Sequence, residues 1–239
     1  MLHPTLSKEF QDALRLALEH HCEDGGRPLA AFDADGTLWR GDIGESLLRW
    51  LIAGKHLLDV DYSIDIWDDY EHRVAQNRTA GYVHAVALMK RIPESQISSW
   101  CAQAAYAWPN YRPEMKGLVD FIRGHGVEVC IISASNRWII AEAAPYAGFR
   151  PEETAGIAVE VRDGLLTETP VEPVTCNQGK VEAIQKRWGR RPLLAFGDSF
   201  GDKEMLEYAQ FPFVIGELGK PDAPMVKLAR ERGWPIQLF

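Results

Sequence analysis

The chain has 239 residues, 46% hydrophobic and 25% charged, with a formal net charge of −8. That balance belongs to a globular protein with a sizeable core and excludes disordered and fibrous classes. The acidic excess argues against nucleic acid or an anionic membrane as partners, since both call for clustered Lys and Arg.

Residues 1–11 show no basic stretch followed by an apolar core and a small-residue cleavage site, and no apolar run approaches membrane-spanning length, so a cytoplasmic location is expected. Four scattered cysteines, Cys22, Cys101, Cys130 and Cys176, lack Cys-x-x-Cys spacing and read as free thiols. Leu6, Phe10, Ala13, Leu14, Ala17 and Leu18 recur at helical spacing, predicting an opening amphipathic helix that stops near Gly25 and Gly26. Its apolar face would pack on the body of the chain or on a second copy, and the oligomeric state is open. A short apolar strand follows at 29–33. The interval 41–112 is too long for one crossover and mainly helical, which predicts a helical cap inserted after the first strand, hinged near Gly41 and 109–113. The core would then comprise 1–40 and 113–239.

Further along come a strand at 127–133, a helix at 137–147, and a hairpin of 157–161 with 165–167 turning at Asp163-Gly164 that decorates the sheet. A helix at 179–188, a strand at 193–197, a helix at 202–209 and a strand at 211–215 complete the pattern. Apolar runs without alternation are strands covered on both faces, so the fold class is α/β with a parallel sheet.

Asp33-Ala34-Asp35-Gly36-Thr37 places two carboxylates at the carboxyl end of the first strand, the edge where open parallel sheets bind ligands. The strand at 193–197 brings Gly197-Asp198-Ser199-Phe200-Gly201-Asp202 to the same edge. Four converging carboxylates are costly without a cation, and an all-oxygen donor set suits magnesium. Asp33 and Asp198 are the expected side-chain ligands, with the Asp35 carbonyl as a third. Asp202 binds through water, orients its loop, or N-caps the next helix. Ser133, after an apolar strand, would hold a phosphate oxygen with nearby backbone N–H groups, although a serine there is ordinarily a turn residue. Lys180, at a helix start, would neutralise phosphate, although lysines at such places are ordinarily solvated. One magnesium ion and Lys180 do not neutralise four aspartates, so one acid should carry a proton or the cap must add positive charge.

In order, Asp33-Ala-Asp35-Gly-Thr37, the apolar run ending in Ser133, Lys180, and Gly197-Asp198-x-x-x-Asp202 resemble the four motifs of the haloacid dehalogenase superfamily, across roughly residues 29–215. The helical insertion, the hairpin before Lys180 and the stretch 198–206 resemble its phosphoserine phosphatase-like branch. The resemblance implies a Rossmann-like core and magnesium-dependent hydrolysis of a small phosphorylated metabolite. Asp33 would attack phosphorus, while Asp35 first protonates the leaving oxygen and then activates water. It also implies phosphate contacts from Thr37, Ser133, Ala134 and Lys180, and places Asp42, nine residues beyond Asp33, towards the substrate. The branch's cap arginine has no counterpart in 83–93; His84, Arg73 and Arg78 are the candidates to replace it.

The cap is rich in aromatics: Trp39, Trp50, Tyr62, Trp67, Tyr70, Trp100, Tyr106 and Trp108 lie in or beside it. Most are expected in packing. A cage of two or three with Asp42 or Asp65 would instead select phosphocholine or phosphoethanolamine. A phosphotransferase or phosphomutase shares all four motifs and is a further alternative, whereas a dehalogenase has no use for Asp35.

Overall fold

Residues 2–19 and 27–239 are described in a computed structural model. Helix α1 (Lys8–Leu18) opens at Ser7, whose hydroxyl accepts the Phe10 N–H. It closes at Leu18; its expected end near Gly25 and Gly26, like Cys22, lies outside the described residues. Phe10, Leu14 and Ala17 form its buried stripe, and the Phe10 ring meets Phe213 at 5.1 Å. The helix therefore covers its own sheet.

Strand β1 (Leu29–Phe32) leads into four helices, α2 (Ile43–Ala53), α3 (Ile66–Gln76), α4 (Arg78–Ala87) and α5 (Glu94–Ala107). The chain enters and leaves this helical segment through paired legs. Arg40 N–H donates to the Asn110 carbonyl and Arg112 N–H to that of Leu38. After α6 (Pro113–Gly124), β2 (Glu128–Asn136) runs three residues past its expected end at Ser133. The expected helix at 137–147 divides into α7 (Arg137–Ala143) and a 3₁₀ turn (Ala144–Ala147), because Pro145 has no N–H to continue the α-helical ladder.

Next come β3 (Thr154–Ile157), the hairpin strands β4 (Val159–Arg162) and β5 (Leu165–Pro170), α8 (Gln178–Trp188), β6 (Leu194–Gly197) and α9 (Lys203–Tyr208). The chain finishes with β7 (Phe211–Gly216), α10 (Pro224–Arg232) and β8 (Ile236–Leu238). The hairpin, expected as a decoration on the main sheet, forms a separate two-stranded sheet. Its backbone bonds to the helical segment instead, with Leu166 N–H donating to Ile92 and Glu94 N–H donating to Gly164. Part of the expected first hairpin strand is β3, which joins the main sheet.

The six-stranded sheet has order β3-β2-β1-β6-β7-β8 with every pair parallel. The chain winds outward from β1 through β2 and β3, then returns to β1's other side for β6, β7 and β8. This reversal lies between β1 and β6, and open α/β sheets bind ligands in the crevice beyond the strand carboxyl ends there. Period-two alternation divides each strand between two cores. Phe32, Ile131, Phe196 and Phe213 share one face with α1, α6 and α7, while Ala31, Cys130, Ala195 and Val214 share the other with α8, α9 and α10. Phe32 and Phe196 stack at 4.3 Å directly behind the two strand ends that carry the acidic loops. Among the described residues no helix is long and apolar enough to cross a membrane.

Candidate active site

Asp33 follows β1, and its N–H donates to the Phe196 carbonyl of β6 at 2.8 Å, fastening the two strand ends together. Gly36 (φ 81°) turns the chain beside the other acidic loop, so closely that a Cβ there would stand 2.2 Å from Asp198 Oδ2. Only glycine allows that approach. Asp33, Asp198 and Asp202 consequently offer carboxylate oxygens that all lie within 4.8 Å of one another.

Lys180 closes this triad. Its buried ammonium donates to Asp33 Oδ1 at 2.6 Å and Asp202 Oδ1 at 2.5 Å. Burial opposes its charge, but the Asp202 and Asp33 carboxylates outweigh burial and raise its pKa. The alternative of a solvated lysine does not hold here. Asp202 does not cap α9 with its side chain either. Its second oxygen accepts the N–H groups of Asp198 and Ser199 and the Ser199 hydroxyl, so it braces the loop that presents Asp198.

Desolvation pushes the Asp33 pKa up to about 7, with the Asp202 charge adding to it and Lys180 opposing it. Burial followed by the charges of Asp33 and Asp202 raises Asp198 well above the usual carboxylate range. Burial also raises Asp35, against the hydrogen bonds donated by Ser135, Ile43 and Trp39. At these three carboxyls the folded, metal-free protein holds protons that the unfolded chain has lost, so their contribution to stability falls as pH rises. For Asp33 the fall spans its ordinary value near 3.8 to about 7. Thermal melting in EDTA should accordingly give a lower transition at pH 8 than at pH 5; a transition that rises steadily over that range contradicts the assignment.

The triad forms the floor of a cavity of about 400 Å³. Asp33, Asp35, Asp42, Ser133, Ala134, Lys180, Asp198 and Asp202 all line it. Ser133 stands inside β2, not at its end, and its hydroxyl accepts the Ser135 N–H at 3.0 Å. Asp42 N-caps α2 through the Glu45 N–H, and burial together with the nearby Asp35 charge raises its pKa strongly. Thr37, expected at the phosphate, is wholly buried outside the cavity lining, with no hydrogen-bond partner for its hydroxyl among the described residues. The Asp35 carboxylate is separate from the triad; it is bound by Trp39, Ile43 and Ser135.

Of the three candidate cap cations, Arg78, first residue of α4, lines the cavity. Arg73 pairs with Asp69 at 2.7 Å, and His84 lies 3.4 Å from the same carboxylate. The eight aromatics do not form a cage. Tyr70 alone among them lines the cavity, and its hydroxyl donates to Glu45. Trp50 and Trp100 pack around His56, Trp39 is core, and Asp65 N-caps α3. Glu45, Tyr82, Ser135, Glu217 and Lys220, none of which belongs to a sequence motif, also line the cavity. Ser135 carried one usable signal: it stands two residues beyond Ser133 in a strand, hence on the same face.

The donors present suit a hard divalent ion: an all-carboxylate set, with Asp33 and Asp202 buried, and proton affinities raised by burial and then by mutual repulsion.

A family model described as haloacid dehalogenase-like hydrolase matches residues 30–207. A histidinol-phosphatase of Neisseria meningitidis serogroup C is 25% identical over 226 residues, covering 88% of this chain and 98% of that protein. Among solved structures, a Bordetella pertussis protein of unknown function superposes with a TM-score of 0.72 at 20% identity, covering 88% of this chain and 97% of the other. A phospho-aspartyl intermediate analogue of phosphoserine phosphatase gives 0.58 at 17% identity, covering 88% and 92%. At these identities the structural likenesses speak to the fold.

Proposed function

The chain belongs to the haloacid dehalogenase-like hydrolases, and on that premise we propose that it is a magnesium-dependent phosphatase that hydrolyses a small phosphomonoester through a phosphorylated Asp33. The observation that carries this reading is the triad of Asp33, Asp198 and Asp202 closed by the buried Lys180 at the switch between β1 and β6.

Lys180 occupies Asp33 Oδ1, leaving Oδ2 to attack phosphorus. As the Asp33–phosphorus bond forms and the ester bond breaks, Asp35 gives its proton to the leaving oxygen, and the alcohol departs. Asp35 then takes a proton from water, whose oxygen attacks phosphorus; the bond to Asp33 breaks and inorganic phosphate is released. Burial, which disfavours the charged form of Asp35, favours the protonated acid the first step needs. Asp33, Asp198 and Asp202, with the Asp35 carbonyl, would hold magnesium. That ion would neutralise charge on the phosphoryl oxygens. The ammonium of Lys180 and the hydroxyl of Ser133 stabilise the same oxygens. Beyond the phosphoryl site, Asp42, Glu45, Tyr82 and Arg78 would contact the alcohol portion. The activities named for the related proteins, on histidinol phosphate and phosphoserine, make those two esters the first to try.

The test is phosphate release from a panel of phosphoserine, histidinol phosphate, choline phosphate and sugar phosphates, with magnesium or with EDTA. Release in magnesium that stops in EDTA is expected. Release unaffected by EDTA contradicts the metal assignment, and transfer to an added alcohol with little free phosphate would make the protein a phosphotransferase.

A further inference from the structure

Three donors from two parts of the chain meet on the Asp35 carboxylate. The indole N–H of Trp39 reaches Oδ1 at 2.7 Å and the backbone N–H of Ile43 reaches the same oxygen at 2.8 Å. The Ser135 hydroxyl reaches Oδ2 at 2.7 Å. These partners differ in kind. Indole and backbone N–H groups only donate, so Oδ1 is committed as an acceptor and a proton carried by this carboxyl belongs on Oδ2. A hydroxyl both donates and accepts, so Ser135 stays bonded to Oδ2 whether or not the proton is there.

The clamp is packed as well as bonded. Trp39 is fully buried, with its ring edge-on to Tyr111 at 5.7 Å. Helix α2 lies against Ser135 so closely that a Cβ on Gly44 would stand 2.5 Å from Ser135 Oγ. The final torsion of an aspartate side chain is soft, with a broad two-fold profile. Left alone, the carboxyl would spread its proton over many orientations. Bonded at both oxygens, it presents one.

We propose that Ser135 and Trp39 are positioning residues for Asp35, holding its carboxyl so that Oδ2 delivers the proton to the leaving oxygen of the ester. This inference rests on the reading of Asp35 as the acid. It has a consequence that a purely structural role lacks: the two side chains matter where the leaving group requires a proton. An alkyl alcohol cannot depart as its alkoxide at useful rates, whereas p-nitrophenolate leaves unprotonated.

The measurement is kcat/KM for the best alkyl phosphate of the panel and for p-nitrophenyl phosphate. This constant covers the steps up to release of the alcohol, and so isolates the acid step from later water attack. S135A and W39F are each expected to lower the alkyl-to-aryl ratio of kcat/KM about 10- to 100-fold, within the range general acid catalysis contributes. G44A, which must displace the Ser135 hydroxyl, is expected to move the ratio in the same direction. D35N sets the full size of the effect. A ratio that stays within threefold of the native value in both S135A and W39F overturns the proposal, whether activity falls on both esters or on neither. Should W39F fail to fold, S135A decides alone. The underlying mechanism has a separate readout: native-like turnover by D33N would refute the phosphorylated aspartate, whereas an unchanged ratio with an inactive D33N refutes only the positioning role.

Discussion

Asp33→Asn is expected to abolish phosphate release from every ester, by at least about 10³-fold, the scale on which removal of a covalent nucleophile acts. An amide oxygen is a far poorer nucleophile than a carboxylate, and the substitution also removes one of the three carboxylates grouped at the cavity floor. The fold should survive. Asparagine fills the same volume, and Lys180 keeps its 2.5 Å bond to Asp202. The check is kcat together with a magnesium titration followed by thermal melting. A variant that folds, binds magnesium more weakly and releases no phosphate supports the mechanism; one that turns over at the native rate refutes it.

Lys180→Met should damage both activity and stability. Methionine matches the length of the lysine stem but supplies no charge, leaving Asp33 and Asp202 buried without their shared cation. Breaking a buried ion pair from one side costs about 3 to 5 kcal/mol, and loss of a preorganised charge on the phosphoryl oxygens costs about 10² to 10³ in kcat. The stability loss should be largest in EDTA and smaller with magnesium, because a divalent ion partly replaces the missing ammonium. Melting curves for native and variant chains in both conditions test this. Equal losses in EDTA and in magnesium would mean that the triad does not hold the ion.

Much of the candidate site was legible because its information is local. Asp33-x-Asp35 and Asp198-x-x-x-Asp202 each follow a short apolar run, and a buried parallel strand exposes functional groups at its carboxyl end. Two such strands in one sheet bring their acids together once they are neighbours, as β1 and β6 are. Helical periodicity was equally informative for α1, and the length of the segment between β1 and α6 together with its lack of strand alternation predicted its helices. Strand β8 and helix α10 went unassigned: β8 has three residues, too few to display a period, and α10 carries a mixed face of Met225, Val226 and Ala229 among charged residues.

What stayed hidden depends on which surfaces meet. Trp39 looked like one aromatic among eight in or beside the cap, yet it is the indole that bonds Asp35. Ser135 lies one hundred residues from Asp35 in sequence, and nothing local to either pairs them. His84 was the candidate within the matching stretch, with Arg73 or Arg78 as substitutes from the previous turn; the packing of α3 against α4 leaves His84 and Arg73 at Asp69 and puts Arg78 at the cavity.

By itself the sequence determined the α/β class, the acids at the strand ends and the lysine that accompanies them, because each is encoded within a few contiguous residues. The tertiary structure alone decided that the hairpin bonds the helical segment, that of the eight aromatics only Tyr70 reaches the cavity, and that Asp35 is clamped at both oxygens. Those outcomes depend on distances between elements far apart in the chain, and such distances are set by how whole faces pack, not by the spacing within any one of them.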